Sequence, residues 1–146
     1  ANIKRADFLI MVMNAYGIGL DIETSDNFTD AGDTYYTKYL AVAKALGLVS
    51  GIGENKFAPE SFITRQDMTV ILYRILEKTG KLPQAIQLGA NAYDDFLDKD
   101  EIAGYAQESM RLFVESKIIS GYDNRLHPFD LTTRAQAAQI LYNLLK

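Results

Sequence analysis

One short pattern, used three times, decides most of what this chain can become. Ile63 Thr64 Arg65 Gln66 Asp67 runs into residues 68–76, Thr132 Thr133 Arg134 Ala135 Gln136 into 137–145, and Ile3 Lys4 Arg5 Ala6 Asp7 into 8–16. In the middle copy Met68, Ile71, Leu72, Ile75 and Leu76 fall at the i, i+3, i+4, i+7, i+8 spacing of one helix face. The same offsets pick out Phe8, Met11, Val12, Ala15 and Tyr16 in the first copy, and Ala137, Ile140, Leu141, Leu144 and Leu145 in the last. All are apolar. Thr64 and Thr133 suit the N-cap, where a hydroxyl accepts from an otherwise unpaired backbone N–H, and Asp67 or Gln136 can reach back as in a capping box. The pattern reads as a helix start.

The arginine in it needs a separate reason. It stands in the first helical position, where the helix dipole makes a cation unfavourable by roughly 0.3–1 kcal/mol. Two readings fit: a salt bridge to a neighbouring carboxylate, or an anion site in which free N–H donors and a planar guanidinium grip a carboxylate or phosphate together.

At 146 residues with 48% apolar side chains, the chain can bury a full core, as one domain or as a short array sharing one. No run of about 18 apolar residues marks a membrane helix. The opening Ala1 Asn2 Ile3 has neither a methionine nor a leader, so the chain reads as a processed or excised piece, with any export signal lying outside it. A net charge of −4 without a basic cluster argues against nucleic acid as a partner. The absence of cysteine rules out disulfides and thiolate metal sites.

In chain order, residues 1–16 form an amphipathic helix stopped by Gly17, and 18–25 a short polar linker. Phe28 Thr29 Asp30 opens the next unit. Tyr36, Tyr39, Leu40, Ala43 and Leu46 mark its first helix, ending near Gly47, and Leu48 Val49 Ser50 Gly51, Phe57 Ala58 Pro59 and the Thr64 helix follow. After a stretch broken by Gly80, Pro83 and Gly89, Phe96 Leu97 Asp98 starts the series again. Ile102, Tyr105, Ala106, Ser109, Met110 and Phe113 carry the helix, followed by Ile118 Ile119 Ser120 Gly121 and Leu126 His127 Pro128. Such units bury their apolar faces by stacking on their neighbours.

On Phe28-x-Asp30, Leu48 Val49 Ser50 Gly51, Phe57-x-Pro59 and Ile63 Thr64 Arg65 Gln66 Asp67, and on their counterparts up to Arg134, the chain resembles the S-layer homology (SLH) domain of bacterial surface proteins. The resemblance implies an all-α fold: tandem helix-loop-helix motifs in a pseudo-threefold helical bundle, with the first repeat truncated. Residues 1–24 would be the C-terminal half of a first motif, 25–80 a second motif, 81–92 a linker and 93–146 a third motif. The front half absent from the first motif would come from a separate fragment or another copy of the chain. The family anchors exported proteins non-covalently on the cell wall through secondary cell wall polysaccharide, often through a pyruvate ketal. That implies an extracellular place at the cell surface, cell wall or S-layer, no catalysis, no cofactor and no membrane insertion. Arg5, Arg65 and Arg134 would be the ligand arginines, with Gly51 and Gly121 in grooves between motifs and Asp123 and Asn124 beside them. The sequence departs from the family in having Gln136 for an acid, Lys4 for a threonine and no tryptophan, so Tyr36 or Tyr39 and Tyr105 would stand in.

The competing reading is a protein–protein module for surface-lattice assembly without glycan binding. Glycan binding predicts an accessible arginine without an intramolecular acid partner, and lattice assembly a large exposed apolar patch. The acidic run Asp94, Asp95, Asp98, Asp100 and Glu101 lacks EF-hand spacing, so it reads as a helix cap by Asp98 or Asp100 plus solvated charge rather than a metal site. His127 has no metal-ligand spacing and reads as structural. No carboxylate pair or nucleophile arrangement points to an enzyme.

Overall fold

A computed structural model describes residues 1–86 and 92–146. Gly89, expected to break the linker, lies outside the described residues. Among these residues there are five α-helices: α1 (Arg5–Ala15), α2 (Thr37–Ala45), α3 (Arg65–Thr79), α4 (Gln107–Glu115) and α5 (Arg134–Leu145), and the strand-like pairing is confined to isolated bridges. The three helices that begin at the repeated motif are α1, α3 and α5, as the sequence predicts. α1 packs on α2, α3 and α5, and α4 packs on α3.

The three helix starts are tied into a closed ring. The Ile3 N–H donates to Thr132 O at 3.0 Å, Thr132 N–H to Ile63 O at 2.9 Å, and Ile63 N–H back to Ile3 O at 3.0 Å. One residue further out the bridges Lys4 with Phe62, Thr64 with Leu131 and Asn2 with Thr133 repeat the arrangement. Equivalent backbone groups of three sequence repeats thus bond to one another in rotation, which is the pseudo-threefold axis of the bundle. The residues on that axis are fully buried, and they differ in one respect: two are isoleucines and the third is Thr132. Its Oγ1 is buried with no hydrogen-bond partner. An unpaired buried hydroxyl costs free energy that an apolar isostere does not. Thr132→Val should therefore raise the unfolding free energy by about 1 kcal/mol, read as a higher urea midpoint. An unchanged or lower midpoint would mean that a bound water satisfies the hydroxyl.

The caps follow the sequence in part. Thr64 accepts from Asp67 N–H, and Thr133 from Gln136 N–H. Only Gln136 completes a capping box, its side chain accepting from the Thr133 N–H at 2.9 Å. Asp67 does not reach back, because its carboxylate is taken by Arg5 and Tyr105. Lys4 makes no side-chain cap and instead pairs with Glu60 at 2.6 Å.

Several expectations are corrected. In α1 the buried face is Phe8, Leu9, Val12 and Met13, while Ala15 points to solvent, since α1 is covered from both sides by α2 and α3. Leu145 at the outer end of α5 is exposed. The helix expected from Ile102 starts only at Gln107. Before it the chain makes 3₁₀ turns at Lys99–Glu101 and Gly104–Ala106, held by the Gln107 amide donating to the Lys99 and Ile102 carbonyls. Residues 18–25 are not a plain polar linker either, for Ile18, Leu20 and Ile22 alternate inward against the main core.

The Phe-x-Asp signature has a plain structural use. Asp30 accepts from the Phe57 and Ala58 N–H groups at 2.9 and 2.8 Å, and Asp98 from those of Leu126 and His127 at 2.8 and 2.9 Å. Asp98 is therefore a buried cross-link between distant loops and not a helix cap. At Asp30 burial pushes the carboxyl pKa up, but the backbone N–H groups of Phe57, Ala58 and Asp30 itself, with the charge of Lys56, outweigh it together and the net shift is downward.

Candidate functional site

The motif arginines run back from their helix starts across the neighbouring motif. Arg5 donates Nε to the Phe57 carbonyl at 2.8 Å and Nη1 to Asp67 Oδ2 at 2.9 Å, with its guanidinium 4.7 Å above the Phe57 ring. Arg65 repeats the first contact on the next motif, Nε to Leu126 O at 2.9 Å, and adds Nη2 to Ser120 O at 3.0 Å. Both are 8% exposed. Burial pulls both guanidinium pKa values down, while Asp67 beside Arg5 and Asp130 near Arg65 oppose that. Arg134 donates Nη2 to Asp7 Oδ2 at 2.9 Å and stays largely in solvent. These carbonyls and carboxylates explain how a cation is tolerated at the start of a helix.

Asp7 and Asp67 play matching parts. Each holds an arginine from a different motif and the hydroxyl of a tyrosine, Tyr35 donating to Asp7 and Tyr105 to Asp67. A hydrogen bond to Asp7 raises the Tyr35 pKa to about 12, and burial together with Asp67 does the same for Tyr105. At the third position Gln136 replaces the acid, and among the described residues Arg65 has no carboxylate within ion-pair distance.

Arg5, Gly51, Phe57, Asp67, Arg74 and Tyr105 line a groove of about 410 Å³. It lies between the start of α1, the loop after α2, the first turns of α3 and the loop before α4, so three sequence repeats meet there. Arg74 donates Nη1 to Ser50 Oγ at 3.2 Å. The exposed Tyr105 forms one wall. Of the residues expected to bind ligand, this groove gathers Arg5 and Gly51. Arg65 stands with Gly121 at the Ser120–Leu126 loop, and Arg134 stands apart on Asp7. Asp123 and Asn124 have φ of 53° and 57° and close the turn between Tyr122 and Arg125. Their counterparts Glu54 and Asn55 do the same between Gly53 and Lys56. His127 stacks on Tyr122 with ring centroids 3.7 Å apart.

The criterion of an accessible arginine without an acid partner is met by none of the three: Arg5 and Arg134 are paired, and Arg65 is buried. The sequence reading missed Arg74, which stands two turns into α3, and Tyr35, the true counterpart of Tyr105. Tyr36, taken as the stand-in, is buried, and Tyr39 reaches Asn14 on α1. No group of acidic and histidine side chains suited to a metal ion occurs among the described residues, and no helix there is long and apolar enough to cross a membrane.

The sequence pattern of the S-layer homology domain matches residues 27–69 and 95–138. The chain belongs to the S-layer homology family. Amylopullulanase from Thermoanaerobacterium thermosulfurigenes is 33% identical over 99% of this chain and 8% of its own length. Exoglucanase XynX from Acetivibrio thermocellus is 32% identical over 99% of this chain and 13% of its own. S-layer protein EA1 from Bacillus anthracis is 26% identical over 96% of this chain and 15% of its own. The SLH chain therefore spans a small part of the curated relatives it matches. An SLH domain is an anchoring and not a catalytic unit, and the family places the chain at the bacterial cell surface.

Proposed function

We propose that this SLH chain holds its parent protein on the cell wall by binding an anionic secondary wall polysaccharide in the groove between Arg5 and Arg74, with a pyruvate ketal carboxylate as the anchoring group. The observation that carries the reading is the groove itself: two guanidinium groups and one exposed tyrosine face a concavity of about 410 Å³ where three repeats meet. Arg5 is held rigidly by Phe57 O and Asp67, so little side-chain freedom is lost on binding. Arg74 brings a second cation with no carboxylate partner among the described residues. Tyr105 offers a ring face and edge to a sugar, and its hydroxyl is fixed by Asp67.

Calorimetric titration with a pyruvylated wall disaccharide tests this. Saturable binding is expected in the intact chain, and Arg74→Ala should weaken it at least about tenfold, the worth of a charge-assisted hydrogen bond, with the thermal melt little changed. Undiminished binding in Arg74→Ala would remove this groove as the site, and Arg65→Ala would then be the variant to examine.

A packing partner for α5 belongs to the same proposal. α2 covers α1 and α4 covers α3, whereas Tyr142 and Leu145 on α5 are 63% and 55% exposed. We assign that face to a further SLH helix. Sedimentation as a dimer would identify it as coming from a second copy, and sedimentation as a monomer would leave it to another segment of the parent polypeptide.

A further inference from the structure

The residue three places after each helix cap is Asp7, Asp67 and Gln136 in the three motifs, and the chain holds this position in two arrangements. Gln136 bends back: its Oε1 accepts from the Thr133 N–H at 2.9 Å. The arginine that faces it from the neighbouring motif, Arg65, is left without a carboxylate and is held by backbone carbonyls. Asp67 turns the other way. Its Oδ2 accepts from Arg5 Nη1 at 2.9 Å and its Oδ1 from the Tyr105 hydroxyl at 2.6 Å, while the Thr64 N–H makes no hydrogen bond among the described residues. One chain thus displays an acid on the arginine with the cap open, and a closed cap with the arginine free of acid.

Asp67 lines the groove together with Arg5 and Tyr105. A guanidinium and a hydroxyl converge on its carboxylate, and these are the donors that a ligand carboxylate in this groove has to use. Two carboxylates cannot share that pair without the repulsion of like charges in a partly buried place. Asp67 has an alternative partner within its own turn of helix. The open Thr64 N–H is the donor that Gln136 takes at the equivalent position, and the positive end of the α3 dipole favours a carboxylate there. Arg5 would not follow it, because Nε stays on the Phe57 carbonyl at 2.8 Å with the guanidinium over the Phe57 ring.

We propose that Asp67 is an internal competitor of the ligand. In the free chain its carboxylate occupies Arg5 and Tyr105, and a ligand carboxylate takes both donors as Asp67 turns back to cap Thr64. The inference rests on the groove reading and adds to it a closed and an open state. An arginine that is paired in the free chain is then no bar to binding, since the pair is what the ligand replaces.

The test is calorimetric titration of the pyruvylated disaccharide into the intact chain and into Asp67→Gln, which writes the Gln136 arrangement into the second motif. The variant should bind about tenfold tighter, because no charge-assisted hydrogen bond has to be given up first. Glu77→Gln removes a charge further along α3 and should bind as the intact chain does. In the intact chain the amide NMR signal of Thr64 should shift on saturation, and in Asp67→Gln it should not. Equal or weaker binding by a folded Asp67→Gln chain, equal tightening in Glu77→Gln, or saturation of the intact chain with the Thr64 signal unmoved would each overturn the proposal. Should Asp67→Gln fail to fold, the Thr64 signal of the intact chain decides alone. Binding by neither chain sinks the groove reading and this inference with it, whereas equal binding by both sinks the inference only.

Discussion

Replacing Gly51 by alanine should cost about 3 kcal/mol of stability or more, among the larger effects of a single substitution. A Cβ there would lie 2.3 Å from the Lys56 carbonyl oxygen and 2.8 Å from the Phe28 ring, on a residue with φ of +85°. The left-handed backbone and the clash can be separated with two other glycines of this chain. Gly47 has φ of +74° and nothing within 4 Å of an added Cβ, so Gly47→Ala carries only the backbone penalty, about 1–2 kcal/mol. Gly121 lacks the left-handed φ, but its Cβ would meet the Arg125 oxygen at 2.3 Å and the Phe96 ring at 2.7 Å. Gly121→Ala therefore carries the clash alone, and overpacking against backbone that cannot yield costs about 2–3 kcal/mol. Urea unfolding should rank the losses Gly51 over Gly121 over Gly47. If Gly121→Ala were no worse than Gly47→Ala, the Phe96 ring and its loop would be able to move aside, and the hydrogen bonds of Asp98 would not hold that loop rigid.

The same residues show what could be read from the sequence. Spacing alone was enough for α1, and spacing behind a threonine cap for α3 and α5, because both are local properties, and glycine after α1 and α2 was a local stop signal. The Ser-Gly and Phe-x-Asp signatures were visible as repeats, but their cause is not local. Phe28 fills the space that a Gly51 side chain would need, and Asp30 bonds backbone N–H groups at Phe57 and Ala58. Resemblance to the family assigned those glycines to ligand grooves. Gly51 does line the groove, yet both glycines are required by packing whether or not a ligand comes. The start of α4 was misread for a similar reason: the turns before it are fixed by Gln107 and by Gln66 of α3, whose Oε1 accepts from the Ala103 N–H at 3.0 Å. Arg74 could have been found, since it stands seven residues after Asp67 and so on the same face of α3. Pairing of Arg5 with Asp67 and of Arg134 with Asp7 could not, because each joins residues of different repeats across the pseudo-threefold axis.

Those pairs lead to the second large effect. Arg5→Ala should destabilise the chain by about 3 kcal/mol, whereas Arg134→Ala should cost no more than about 1 kcal/mol. Both arginines hold an aspartate at 2.9 Å, so the difference comes from surroundings. The Arg5 side chain is 9% exposed and also satisfies the Phe57 carbonyl, while that of Arg134 is 56% exposed. Removing Arg5 leaves a carbonyl and a partly buried carboxylate short of a donor, and the partial exposure of Asp67 keeps the loss below that of a fully buried pair. Arg5→Lys keeps the charge but cannot bond Phe57 O and Asp67 together through one planar group, so it should fall between wild type and alanine. In a double-mutant cycle Arg5→Ala and Asp67→Ala should be clearly non-additive, measured by chemical unfolding. Additive losses would mean that the pair contributes nothing beyond its separate contacts. The size of the Arg5 effect also governs how binding data are read: glycan affinity lost in Arg5→Ala would reflect the damaged groove as much as a missing ligand contact. Arg74, tied to the protein mainly through one bond to Ser50, can be removed without that confusion, and a loss of binding there bears on the ligand alone.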